Sequence, residues 1–263
     1  MYDFNFHQPT SIESAIALFS ASEDPVYLAG GHTLVPSMKQ RLRAPSDVID
    51  LSAIDALQSI KQDGEMLRIG ALTRHAEVAR SIEVANHAPV LNALASGIGD
   101  RQVRNRGTMG GSVANNDPAA DYPAAVLGLG MTVHTDRRTI AGDAFFTDMF
   151  ETALEDGELI TGFSVPKVES ASYQKFANPA SRYAIVGVMV ARVDASVRVA
   201  ITGAASCVFR AEAMEAALSE RFEPEALDGV AVDAVFNQDI HASADYRAHL
   251  CRVMAKRAVA ALV

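Results

Sequence analysis

The alternation of apolar and polar positions in the first 72 residues predicts strands and helices in turn. Ile12, Ala15, Ile16 and Phe19 recur at helical spacing behind a capping sequence at residues 10–13, which predicts an amphipathic helix. Short apolar runs bounded by turn residues predict buried strands. The predicted elements are helices at 11–21 and 33–43 and strands at 26–29, 48–51 and 66–72. Such alternation is typical of an α/β unit.

The next hundred residues contain both periodic segments and one aperiodic segment. The periodic part predicts helices at 73–80, 87–98 and 121–129 and strands at 131–135 and 159–166. Residues 100–118 are polar and glycine-rich and have no usable period, so they are predicted to form a long loop. A loop of this length inside a compact domain usually has a functional role.

A short polar stretch at 167–172 separates a C-terminal region with a different pattern. Strands are predicted at 173–177, 184–193 and 197–206, with a turn at 194–196 that makes the last two a hairpin. Helices are predicted at 210–219 and 245–260. Strands followed by helices indicate an α+β module, so we expect two domains, 1–168 and 169–263.

Composition narrows the chemistry that this chain can perform. The formal net charge of −9 gives no electrostatic reason to expect nucleic-acid binding. Two cysteines, Cys207 and Cys251, are too few for an iron–sulfur cluster or a structural zinc site, so no metal ligands are predicted. No membrane span or secretory signal is recognisable, and we expect a cytoplasmic protein. Any redox chemistry would therefore use a bound organic cofactor.

Two glycine loops are the candidate chemical features. Gly30-Gly31 follows a predicted strand, and such a pair either forms a plain turn or lets backbone N–H groups surround a phosphate. Gly110-Gly111 is flanked by hydroxyl residues and followed by amides and carboxylates suited to sugar hydroxyls. Two such loops fit a dinucleotide held from two sides. Neither loop matches the Rossmann or P-loop pattern.

The two loops together resemble those of a known family. The segments AGGHTLVPSMKQRL (29–42) and VRNRGTMGGSVANNDPAADYP (103–123) resemble the FAD-binding medium subunits of molybdenum hydroxylases, the group of carbon monoxide dehydrogenase and xanthine dehydrogenase. Further similarity at 157–166, 173–176 and 242–247 extends the resemblance over the whole chain.

The resemblance implies a specific fold. It is an α+β chain with a two-subdomain FAD-binding domain of the vanillyl-alcohol-oxidase/PCMH type, with subdomains at about 1–55 and 56–168. A C-terminal domain with a three-stranded antiparallel sheet and helices would follow at 169–263.

The resemblance also implies a set of FAD contacts. The first loop would hold the diphosphate through Gly30, Gly31, His32 and Thr33, flanked by Ala29 and Leu34. The second loop would hold its other side through Thr108, Gly110, Gly111 and Ser112. The polar residues implied near the sugar and ribityl hydroxyls are Asn115, Asp117 and Asp121. The residues implied near the isoalloxazine ring are Ile98, Ile160 and Lys175.

The function implied by the resemblance is electron transfer. A molybdopterin large subunit would oxidise the substrate, and a small subunit with 2Fe-2S clusters would carry electrons to non-covalently bound FAD on this chain. The external acceptor stays open between a quinone, NAD and oxygen. Relatives often have an acidic residue in the loop where this chain has residues 179–183. This difference affects the contacts at the edge of the flavin, and thus which electron acceptor is used. No catalytic acid–base pair is predicted on this chain.

Several alternatives stay open at this point. The chain could be a free-standing FAD-dependent oxidoreductase with its own small substrate, or a scaffold that has lost its flavin. His32 could support the loop or tether FAD covalently. Asp117 and Asp121 could be a catalytic carboxylate pair, although hydrogen bonding to the ligand is favoured. The arginines at 101, 104 and 106 could be solvated, neutralise phosphate or dock an acidic partner.

Overall fold

The computed structural model describes residues 1–263. The N-terminal part, up to β3, contains a small parallel sheet. Its elements are β1 (Asn5–His7), α1 (Ile12–Ala21), β2 (Pro25–Leu28), α2 (Leu34–Lys39) and β3 (Asp47–Asp50). The strands pair in the order β1–β3–β2, and both pairings are parallel. Parallel neighbours need a crossover, and α1 and α2 lie in the connections between the strands. The predicted α/β alternation is confirmed, although α2 ends earlier than predicted.

The middle part is built on a five-stranded sheet. In chain order its elements are β4 (Ile60–Asp63), β5 (Met66–Gly70), α3 (His75–Val78), α4 (Ile82–His87), α5 (Pro89–Ser96), α6 (Arg101–Arg106), α7 (Met109–Asn115), α8 (Tyr122–Gly128), β6 (Thr132–Thr135), β7 (Thr139–Ala141), β8 (Phe146–Asp148), β9 (Glu151–Thr152) and β10 (Ile160–Val165). The sheet order is β4–β5–β10–β6–β7, and every pairing is antiparallel. Strands β8 and β9 form a separate hairpin.

The prediction of a loop at 100–118 was wrong, because two short helices occupy most of it. Asp100 caps α6 by accepting a hydrogen bond from Val103 N at 2.8 Å. Thr108 caps α7 by accepting one from Gly111 N at 3.2 Å. Helix α6 has no buried residue, so it has no apolar period. Helix α7 buries Met109 and Val113, which are four residues apart, but two glycines lie between them and obscure the helical pattern.

The C-terminal part consists of a sheet with helices on one face. Its elements are β11 (Ser170–Ala177), β12 (Ala184–Val193), β13 (Ser196–Thr202), β14 (Phe209–Arg210), α9 (Glu212–Glu220) and α10 (Ala244–Ala260). The order is β11–β12–β13–β14, all antiparallel. The prediction of three strands was wrong. The two-residue β14 lies where a helix start was predicted, and it pairs with Ala200 and Ile201.

Strand β12 is buried on both faces, which explains its nearly unbroken apolar sequence. One face, with Met189 and Ala191, packs into the main core of the middle part. The other face, with Val188 and Val190, packs into the core under α9 and α10. The C-terminal sheet is therefore the common wall of two cores. No helix of the structure combines the length and apolar character needed to cross a bilayer.

One buried carboxylate stabilises the turn before β10. Glu158 accepts hydrogen bonds from Arg138 Nη2 at 2.9 Å, Thr135 Oγ1 at 2.7 Å and Glu155 N at 2.8 Å. Its side chain is fully buried. These donors, the Arg138 guanidinium first, lower the pKa of Glu158 from 4.5 to about 2.

We expect Glu158→Gln to lower the free energy of unfolding at pH 7 by about 1–3 kcal/mol, the usual range for hydrogen bonds to a charged group. A lowered carboxylate pKa stabilises the fold above the unfolded-state value, and that stabilisation is lost as pH falls towards about 2. The difference between variant and wild type should therefore shrink below about pH 4.5. Urea denaturation at several pH values measures it.

Glu155→Gln is the matched control, because the Glu155 side chain is 60% exposed and its ion pair with Arg137 is screened by solvent. Equal effects of the two substitutions would contradict the role given to Glu158.

Candidate functional site

A cavity of about 480 Å³ lies where both glycine loops meet the C-terminal part. Its wall contains residues 26–34 from β2 and the following loop, ten residues between 107 and 121 around α7, and residues 181–183 from the segment between β11 and β12. All the predicted cofactor contacts line this cavity except Lys175. They are Ala29, Gly30, Gly31, His32, Thr33, Leu34, Ile98, Thr108, Gly110, Gly111, Ser112, Asn115, Asp117, Asp121 and Ile160.

The two loops touch each other directly, and this contact requires glycine. A Cβ atom on Gly30 would lie 2.3 Å from the carbonyl oxygen of Arg106, so any larger residue would push the loops apart. Gly31 has φ +74°, a conformation that side chains other than glycine rarely adopt. The first loop therefore turns sharply against the chain segment that leads into the second loop.

The first loop presents backbone donors that the protein leaves unbonded. The N–H groups of Gly30, Gly31, His32 and Thr33 donate to no protein acceptor. The Thr33 side chain makes no capping bond to α2 either. Successive free N–H groups at the edge of a cavity form a positively polarised surface that suits an anion such as a diphosphate.

The second loop differs, because its N–H groups are already bonded within the protein. Met109 N donates to Thr73 O at 3.0 Å, and Gly110 N donates to Ala71 O at 2.8 Å. Gly111 and Ser112 both donate to Thr108. What this loop offers is its side chains, because the Ser112 hydroxyl and the Asn115 amide have no hydrogen-bond partner in the structure. The sequence did not distinguish these two modes of binding.

Asp121 is buried and hydrogen-bonded to the C-terminal sheet. Its Oδ1 accepts a hydrogen bond from the Tyr173 hydroxyl at 2.5 Å, and its Oδ2 lies 3.1 Å from Lys175 Nζ. Lys175 also donates to the carbonyls of Gly97 and Arg182, at 3.0 and 3.1 Å. Lys175 does not itself line the cavity, but it bonds Asp121 and Arg182, which do, and its place near the isoalloxazine ring stays a prediction.

His75 belongs to the cavity wall but was not predicted from the sequence. Burial, with smaller effects of His32 and Arg104, lowers its pKa to about 4, so His75 is neutral at physiological pH. Its Nδ1 has no hydrogen-bond partner, and neither has the hydroxyl of the neighbouring Tyr122. The only signal in the sequence was its position shortly after a predicted strand, which did not separate it from a core histidine.

We expect Gly30→Ala to weaken FAD binding by about tenfold or more, because its Cβ would overlap the Arg106 carbonyl and displace both loops. Displaced loops would misplace the N–H groups of residues 30–33, and about 1.4 kcal/mol of lost interaction corresponds to tenfold in affinity. Flavin fluorescence titration of the apoprotein measures the change.

The control is Gly97→Ala, whose Cβ would meet nothing closer than 3.4 Å. Wild-type affinity in Gly30→Ala would contradict the requirement for a close approach of the two loops.

Comparison with known protein families accounts for nearly the whole chain. Residues 2–168 match the family described as FAD binding domain in molybdopterin dehydrogenase. Residues 171–262 match the family described as CO dehydrogenase flavoprotein C-terminal domain.

Individual relatives agree with these matches. The nicotine 6-hydroxylase medium subunit of Paenarthrobacter nicotinovorans is 34% identical over 97% of this chain and 95% of its own length. The carbon monoxide dehydrogenase medium chain of Hydrogenophaga pseudoflava is 32% identical over 97% and 96%. A crystal structure of the Cu,Mo-CO dehydrogenase has a chain that superposes with a TM-score of 0.92 at 30% identity, covering 99% of this chain and 98% of that one.

The sequence resemblance is thereby confirmed, together with the mixed α/β architecture that it implied. The free backbone donors of the first loop and both glycine loops lie within the region matched by the FAD-binding family, and residues 181–183 of the cavity wall lie within the region matched by the C-terminal family. This chain belongs to the family of FAD-binding subunits of the molybdenum hydroxylases.

Proposed function

We propose that this chain binds FAD non-covalently in the cavity between its glycine loops and serves as the electron-transfer subunit of a molybdenum hydroxylase. The observation that carries the proposal is the run of unbonded N–H groups at residues 30–33, which fits the diphosphate of a dinucleotide. When bound, FAD supplies the redox chemistry, and the protein supplies position and electrostatics.

Each predicted contact has a distinct role in this proposal. Ala29 and Leu34 flank the N–H groups of Gly30, Gly31, His32 and Thr33 that hold the diphosphate. Ser112 and Asn115 bond the other side of the cofactor through their side chains, since the N–H groups of residues 109–112 already donate within the protein. Thr108, Gly110 and Gly111 shape the second loop. Asp117 and Asp121 accept hydrogen bonds from sugar hydroxyls. Ile98 and Ile160 pack against the isoalloxazine ring.

The proposed architecture has three units with separate roles. Two subdomains of the vanillyl-alcohol-oxidase/PCMH type, at about 1–55 and 56–168, provide the two glycine loops. A domain at 169–263 closes the cavity with residues 181–183 and supports it through Lys175. The three larger sheets, one in each unit, and the change of pattern at 167–172 support this division.

The proposed partners are a small iron–sulfur subunit and a large molybdopterin subunit in the cytoplasm. Relatives that match over nearly their full length are named as the medium subunit or medium chain of a hydroxylase or dehydrogenase, which implies further chains in those proteins. Electrons would reach FAD from the iron–sulfur partner and leave to an external acceptor.

For the non-covalent linkage, we expect acid precipitation of the FAD-loaded chain to release the flavin into the supernatant. His32 lies in the loop where a covalent tether was considered, and the family resemblance favours a supporting role for it. Absorbance of supernatant and pellet at about 450 nm measures the partition. Flavin retained by the pellet of the wild type but not of His32→Ala would show a covalent bond instead.

For the assembly, we expect purification of a tagged chain from its native source to recover two further chains, with molybdenum and iron in the complex. Elemental analysis and mass spectrometry of the purified material provide the measurement. A chain that purifies alone with FAD and oxidises a small substrate without partners would favour the free-standing oxidoreductase.

A further inference from the structure

Two side chains of β11 reach across the cavity wall to the same carboxylate. Tyr173 and Lys175 are two residues apart and therefore point to the same face of their strand. The Tyr173 hydroxyl donates to Asp121 Oδ1 at 2.5 Å, and Lys175 Nζ donates to Asp121 Oδ2 at 3.1 Å. Both oxygens of Asp121 are thus held by the C-terminal sheet.

The Tyr173 hydroxyl has a space made for it in the sheet. Gly187 on β12 pairs with Lys175, and a Cβ on Gly187 would lie 2.2 Å from the Tyr173 hydroxyl oxygen. Any other residue at 187 would force Tyr173 away from Asp121. Strand β12 therefore has a glycine in the middle of an otherwise apolar run. This position contributes no side-chain packing, and the space is occupied by the Tyr173 hydroxyl.

Lys175 has no donor left for a ligand. Its three protons are directed to Asp121, to the carbonyl of Gly97 and to the carbonyl of Arg182. An ammonium group has three donors, so Lys175 ties three segments together and acts on the cavity only through them.

Asp121 keeps acceptor capacity on the cavity side. A carboxylate has about four lone-pair sites, and Tyr173 and Lys175 occupy two of them. Asp121 lines the cavity although its residue is only 6% exposed. The pKa of Asp121 is raised because burial outweighs the opposing effects of Lys175 and the Tyr173 hydroxyl. Removing either donor would raise this pKa further and favour the neutral form, which is the weaker acceptor.

We propose that Tyr173 is a positioning residue for FAD, which acts through Asp121 by fixing its carboxylate, with Lys175, as an acceptor for the hydroxyls of the cofactor. This inference rests on the proposed function, since it concerns the same cavity. According to this inference, the C-terminal sheet contributes to FAD affinity. The sequence gives no sign of this contribution, because the sheet is far along the chain from both glycine loops.

The test compares FAD dissociation constants of full-length apoproteins. Tyr173→Phe keeps the ring and removes only the donor, and we expect its Kd to rise about tenfold, the usual effect of one hydrogen bond to a charged group. In an Asp121→Asn background the same change should alter Kd less than about threefold, because the two residues act as a unit. Tyr246→Phe is the matched control, since Tyr246 is partly exposed on α10 and makes no side-chain hydrogen bond.

The pH profile of FAD affinity provides a second readout. Tyr173→Phe removes a donor that favours the ionised carboxylate, so affinity should be lost at a higher pH than in the wild type as pH falls. The other titratable groups facing Asp121 are Lys175, Asp117, Tyr122 and Tyr183. His32 and His75 line the same cavity. All of these are present in both proteins, so the difference between the profiles reports Asp121.

The outcomes separate the inference from the proposed function. A wild-type chain that binds no FAD would overturn both. A wild-type chain that binds FAD with the same Kd and pH profile as Tyr173→Phe would overturn the positioning role alone. So would a lower Tm of apo Tyr173→Phe with an unchanged Kd, which is the signature of a purely structural contact. If Asp121→Asn binds FAD too weakly to measure, the pH profile of Tyr173→Phe decides.

Discussion

The cavity depends on one backbone contact, the approach of Gly30 to the carbonyl of Arg106. Because no side chain intervenes, two segments about 75 residues apart in sequence meet at van der Waals distance, and the N–H groups of residues 30–33 are exposed at the cavity edge. These donors have no protein partner and are accessible from the cavity, so an anion that binds there takes the place of water. The loop geometry that exposes the donors therefore also determines the affinity for an anion.

The two glycine loops look alike in sequence but differ in how they use their hydrogen bonds. Gly110 is committed to Ala71, and its N–H group stabilises the packing of α7 on the end of β5. The N–H groups of Gly30 and Gly31 donate to no acceptor in the protein. One loop therefore anchors the fold and contributes side chains, and the other contributes backbone. The two loops are thus similar in sequence but differ in the hydrogen bonds of their backbone N–H groups.

The mixed α/β architecture could be predicted from local signals, and the residues that line the cavity were implied by the family resemblance. Strand β12 has an apolar run, α1 has a capped amphipathic period, and the loops have paired glycines. Prediction from sequence failed where tertiary contacts decide. Helix α6 begins at its Asp100 cap and has no buried residue. Helix α7 buries only the side chains of Met109 and Val113 from a glycine-rich segment of seven residues, and β14 is two residues long. The hydrogen bonds from Lys175 to the carbonyls of Gly97 and Arg182 were not predicted either, because no sequence pattern marks these carbonyls as acceptors.

Strand β12 buries residues on both of its faces, and this limits which C-terminal segments from other proteins could replace the one in this chain. Met189 and Ala191 belong to the core of the middle part, while Val188 and Val190 belong to the core beneath α9 and α10. The C-terminal segment is consequently a poor candidate for exchange between proteins, because a new neighbour would have to match a surface shaped by α8, where Gly128 leaves room for Met189. A chimera joined at residues 167–172 would keep the reading frame. Its middle part and its C-terminal sheet would come from different proteins, so the side chains of the core that they share would not fit together.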